Sequence, residues 1–130
     1  VRNPVDTIVI MDPEKLIETL RIIGSDPNVD VILFHTGFGW GPWRRMQATA
    51  SITFDPAMVV KAMSDAMVRA REAVGKPIAV VVRPPLDAQT MEHSLDFQER
   101  CWRAGFPVFP SIPRACNAIA KMVAWGESRG

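Results

Sequence analysis

The sequence predicts an α/β domain: a parallel sheet of about four strands with helices on both faces. Two observations lead there. Short, β-branched apolar runs alternate with longer runs whose apolar residues recur at helical spacing. The helical runs also carry their own stop and start signals, Asp-Pro or Ser in front and Gly behind.

Taken in order, Thr7-Ile8-Val9-Ile10-Met11 suits a buried strand. Asp12-Pro13 then reads as an N-cap with proline at the first helical position. Leu16, Ile17, Leu20 and Ile23 make the apolar face, and Gly24 ends the run. Asp26-Pro27-Asn28 is a turn. The second strand, Val29 to Phe34, is nearly all apolar, as a strand buried on both faces should be. A loop rich in Gly and Trp is expected from His35 to about Thr53. Asp55-Pro56 repeats the cap; Val59, Met63, Met67 and Val74 mark the buried face, and Gly75 closes the helix. Pro77 to Val82 is the third strand, broken by Arg83-Pro84-Pro85. A helix over Ala88–Ala104 is expected to bury Met91, Leu95 and Trp102. Phe106 to Phe109 is a short fourth strand. Ser111 caps a last helix with Ala115, Ala118, Ile119, Met122 and Val123 on its inner face.

This β-α-β-α-β-α-β-α order fits one flavodoxin-like, doubly wound three-layer sandwich over residues 1–130. A length of 130 residues is one domain, able to bury roughly two-thirds of its unfolded surface. Fifteen basic and fourteen acidic residues leave a net charge of +1, which gives no reason to expect bulk nucleic-acid binding or a polybasic membrane tail. No apolar run approaches the roughly 20 residues of a membrane span. Cys101 and Cys116 have no metal or CxxC spacing, and a reducing cytoplasm is the expected compartment. The sequence starts at Val1 without a signal peptide, and a piece of a longer polypeptide is expected.

In such a sheet ligands gather beyond the carboxyl ends of the strands, where helix N-termini also favour anions. The most unusual stretch at that edge is His35-Thr36-Gly37-Phe38-Gly39-Trp40-Gly41-Pro42-Trp43-Arg44-Arg45. Gly37, Gly39 and Gly41 free the backbone for close approach. The loop can hold a phosphate, a nucleotide or a partner domain, or it is a long surface loop packed on its own aromatics. It matches neither GxxxxGK[ST] nor the dinucleotide fingerprint. His35 reads either as a phosphate acceptor or general base, or as a structural histidine. Arg83, Arg44, Arg45 and Arg114 can converge on an anion, or stand apart in separate ion pairs. Asp12, Asp55 and Asp87 are better explained as helix caps than as a metal cluster. His93 is expected in solvent. The chain lacks the motifs of cobalamin-binding, receiver and flavodoxin domains, and no GxSxG or HExxH appears.

Four stretches together carry a family likeness: Asn3-Pro4-Val5-Asp6, Ser25 to Leu33, Gly75 to Val81, and Ala104 to Ser111 with Pro113-Arg114-Ala115 beyond it. In order and spacing the chain resembles the flavodoxin-like second ligase domain of the NDP-forming acyl-CoA synthetases, relatives of succinyl-CoA synthetase. The resemblance covers essentially the whole chain. It implies a part in converting acyl-CoA, NDP and phosphate into acid, CoA and NTP through a phosphohistidine. It also implies sister CoA-binding, ligase and ATP-grasp domains as partners, and CoA, nucleotide and Mg for the parent enzyme, with none bound by this domain alone. The family's catalytic histidine belongs to the sister domain, and His35-Thr36-Gly37 lacks the serine that precedes it there. The family's phosphate loop after the opening element is replaced here by Thr7 to Asp12. Gly37, Gly39, Gly41, Arg44, Arg83 and Ser111 are the expected phosphate or interdomain residues. Two other readings stay beside this one: a non-catalytic docking or regulatory module of a CoA-ligase-like protein, and a stand-alone binder of small anions.

Overall fold

The computed structural model describes residues 4–7, 12–39 and 55–129. Among these residues there are four helices and one three-stranded parallel sheet, in the order α1 (Pro13–Gly24), β1 (Ile32–Gly37), α2 (Pro56–Val74), β2 (Ile78–Arg83), α3 (Ala88–Arg103), β3 (Val108–Phe109) and α4 (Ile112–Glu127). This α/β layout is consistent with a flavodoxin-like one. Residues 8–11 of the expected strand Thr7–Met11 and most of the Gly/Trp loop, including Gly41, Arg44 and Arg45, lie outside the described residues.

Each helix starts where its cap residue stands. Asp12 accepts a hydrogen bond from the Lys15 N–H, Asp55 from Ala57, Asp87 from Thr90 and Ser111 from Arg114, satisfying donors that the first turn cannot. Gly75 closes α2 in the left-handed region at φ 65°. Gly24 has a different task from the stop expected of it. It is the last residue of α1, and a Cβ there would come 2.4 Å from Cγ1 of Val74, so its lack of a side chain lets α1 lie against the end of α2.

The strands run side by side as β1-β2-β3, with Ile32 opposite Ile78 and Val80 opposite Val108. Two right-handed crossovers stepping the same way across a sheet put α2 and α3 on one face. One core follows: Ile32, Ile78, Val80 and Val82 from the sheet pack with Leu16 and Leu20 of α1, Met63 and Met67 of α2, and Phe97 and Cys101 of α3. The reversal of a doubly wound sheet is not among the described strands.

Three expectations are corrected. First, the second strand begins at Ile32 and runs on through His35, Thr36 and Gly37, instead of ending at Phe34. Pairing with β2 up to Gly37↔Arg83 holds those polar residues in the ladder. Second, α3 is turned by about one residue. Its buried side is Thr90, Ser94, Phe97 and Cys101, whereas Met91, Leu95 and Trp102 are exposed, Trp102 by 71%. Both sets have helical spacing; the ring of Phe97 meets Phe38 edge-on at 5.6 Å, and the small Ser94 lets the helix approach. Third, α4 touches all three strands, yet Ala115 is its one buried residue; Ala118 and Ile119 are half-buried, and Met122 and Val123 are exposed.

Candidate functional site

The carboxyl edge of the sheet is built by Gly37 at the end of β1, Arg83 at the end of β2, and the short link from Phe109 to Ser111 after β3. Register brings these together. Gly37 pairs with Arg83 at the end of the β1–β2 ladder, and Val81 pairs with Phe109, two residues before Ser111. Gly37 and Arg83 are thus cross-strand neighbours, and Ser111 follows the end of β3 at the same edge of the sheet.

Local packing accounts for two of the glycines. A Cβ on Gly37 would come 3.2 Å from Cβ of Arg83 and 3.3 Å from its Nε, so the Arg83 side chain folds across this position. Gly39 has φ 81°, and a Cβ there would meet Thr90 at 2.7 Å. The turn after β1 is thus pressed onto the start of α3. There Asp87 accepts from the Thr90 N–H at 2.9 Å and from its hydroxyl at 2.8 Å. Phe38, between the two glycines, is buried on Phe97. These contacts explain Gly37 and Gly39 without a ligand.

His35 does not stand at the strand end as expected. It lies within β1, in the row of Val81 and Phe109, with an exposed side chain two residues short of the edge. His93 is half-buried within α3.

Helix starts decide the electrostatics of this edge. Asp12, Asp55 and Asp87 place a carboxylate at the caps of α1, α2 and α3, and α1 adds Glu14 in its first turn. The Lys15 N–H and ammonium at Asp12 hold its carboxyl below the ordinary value, so it stays charged. Such carboxylates cancel the positive end of a helix and oppose a second anion. The start of α4 differs. Its cap is the neutral Ser111, no acidic residue stands in its first turn, and Arg114 does. Pro113 has no N–H, and the Arg114 N–H reaches Ser111 Oγ at a long 3.5 Å. The first turn of α4 therefore keeps the positive end of its helix uncancelled by a carboxylate. Ser111 and Arg83 stand out in the sequence; the contrast of three acidic caps with one neutral cap was missed there, although all four cap residues are visible in it.

Among the described residues no group of three or more His, Cys, Asp or Glu could hold a metal ion. No helix among them is long and apolar enough to cross a membrane. Comparison of the chain with family models, with curated proteins and with solved structures gives no match.

Proposed function

We propose that this chain acts as the second ligase domain of an NDP-forming acyl-CoA synthetase-like protein in the cytoplasm. In this reading it is a flavodoxin-like three-layer sandwich, with residues 7–11 as a fourth strand and α4 on the sheet face opposite α1–α3. It helps to form a phosphohistidine site with a sister ligase domain and is catalytically incomplete by itself. CoA, nucleotide and Mg belong to the parent enzyme, whose CoA-binding and ATP-grasp domains complete the reaction. The four sequence stretches support this reading, and one structural observation carries it. Among the described residues, the α4 N-terminus is the helix start at the carboxyl edge with no carboxylate at its cap, and it lies at the same edge as Arg83 at the end of β2. A helix start without a capping carboxylate favours a phosphoryl dianion through its dipole.

A second reading is a docking or regulatory module that retains the fold without the chemistry. The three aspartate caps favour it, because they make the rest of the edge unfavourable to phosphate.

The test uses the native polypeptide purified from its source, with its mass measured and the peptides flanking Val1 and Gly130 sequenced. A synthetase should carry a sister ligase domain and its histidine in the same chain or in a co-purifying partner. Phosphoryl transfer in that protein should fall at least about tenfold in Ser111→Ala and Arg83→Ala, with both variants still folded and the melting temperature lowered in Ser111→Ala only by the lost cap, worth about 1 kcal/mol. Transfer at the parent rate in both variants rejects the phosphate role, and absence of any such sister domain rejects the synthetase reading.

A further inference from the structure

The opposite, amino edge of the sheet holds a second feature, independent of the chemistry above. α4 leaves β3 at the carboxyl edge and runs back along the sheet. Its 16 residues rise about 24 Å, and a six-residue strand spans about 20 Å. The last turns of α4 thus reach the amino edge, where they wall an open groove of about 560 Å³. The apolar walls include Ala79, Pro107, Ile119, Met122 and Val123. Met122 is 72% and Val123 54% exposed, and Trp125, one turn on, is 60% exposed.

The charges at this groove are held differently from the ion-paired cations of α1, α2 and α3. On α1, α2 and α3, Lys15, Arg21, Lys61, Arg69, Arg100 and Arg103 each form an ion pair with a carboxylate. The groove's Arg71 and Lys76 are held instead by main-chain carbonyls. Arg71 donates to Ala104 O and lies over the Phe106 ring, and Lys76 donates to Val29 O at 2.6 Å. A carbonyl fixes a cation in place without cancelling its charge. Asp30 also lines the groove, so two cations and one carboxylate leave it a net +1.

We infer that this groove receives an acidic amphipathic helix from a partner protein. Its apolar face would cover Met122 and Val123, and its carboxylates would meet Arg71 and Lys76. Exposure argues for a helix over a small anionic amphiphile. A small-molecule site buries most of its ligand, whereas the wall of Met122 and Val123 is more than half exposed and leaves such a molecule open to water on that side. A helix laid along α4 covers them, as in other helix-in-groove complexes.

The probe is a synthetic helix of about 18 residues with leucines at i, i+3, i+4 and i+7 and glutamates on both flanks. Its control has lysine at every glutamate position. Binding to the 130-residue chain is followed by NMR of the methionine methyl groups. The acidic helix should move the Met122 methyl and leave the core residues Met63 and Met67 unmoved. Its affinity should fall about tenfold in Met122→Glu, a substitution at a surface position that should leave the melting temperature unchanged. Lys76→Gln should weaken it as well, and the lysine helix should not bind. Equal binding of both helices, or no movement of Met122, overturns the proposal. So does a dimer that Met122→Glu dissolves, which makes a second copy of this chain the occupant. Decanoate moving Met122 where the acidic helix does not also overturns it, in favour of a small amphiphile.

Discussion

α3 and α4 are both 16-residue helices beside the same sheet, and they are stabilised differently. α3 is joined to α1 and α2 in one core: Phe97 and Cys101 are buried, and Arg100 and Arg103 are paired with Asp96 and Glu99. α4 buries Ala115 and leaves Met122, Val123 and Trp125 in solvent, with Lys121 and Arg129 in no ion pair among the described residues. α3 also turns an apolar stripe outward, Met91, Leu95 and Trp102, although its burial is already complete on the other side. Apolar spacing on a helix therefore says that a face exists and leaves open which face the sheet takes. Contact with the sheet selects the face whose shape fits, here a ring and two small polar residues.

The largest expected effect tests that difference directly. Phe97→Ala should cost about 3–5 kcal/mol in urea unfolding, and Met122→Ala should change stability by less than about 0.5 kcal/mol. Comparable losses would mean that α4 is as integral to the core as α3.

The glycines give a smaller effect. Gly39→Ala combines a positive φ with a Cβ 2.7 Å from Thr90, and should destabilise by about 2–4 kcal/mol. Gly75→Ala has a positive φ with open space around it and should cost only about 1 kcal/mol. Thermal melts of both variants separate packing from backbone strain. A Gly39 variant as mild as the Gly75 variant would remove the structural explanation and return Gly39 to the ligand-binding candidates.

The smallest effect is read through the thiols. Cys101 in α3 is buried, and Cys116 in α4 is exposed. Burial pushes the Cys101 thiol up to about 12, from 9.0. The unfolded chain thus loses this proton first. Its stabilising contribution is complete below pH 9 and is lost as pH rises from 9 toward 12. A thiol reagent at neutral pH should modify Cys116 in the native chain and Cys101 only on unfolding. Cys101→Ala should flatten the alkaline loss of stability. Rapid modification of both thiols would show that the α3 core opens as readily as α4.

The contrast between the two sheet edges is partly legible in the amino-acid sequence alone. Cap residues act within one turn, so Asp12, Asp55, Asp87 and Ser111 can be read as helix starts, and the acidic or neutral character of each start follows from the residue itself. The groove at the amino edge cannot be read that way. It joins Lys76 and Pro107 with Met122, residues far apart in sequence that only chain reversal brings together. The Met122 and Val123 pattern reads as core for the same reason: local spacing carries no record of where the sheet ends.

By itself the sequence determined the alternation of helices and strands from α1 onward, the four helix starts and the left-handed close at Gly75, because each depends on neighbours within a few residues. Only the tertiary structure decided that β1 runs through His35 to Gly37, since the pairing partners that hold it belong to β2. It also decided which side of α3 is buried, and that Gly24 and Gly39 serve close packing on Val74 and Thr90. These outcomes depend on volume and register between segments distant in the chain, and local propensity contains neither.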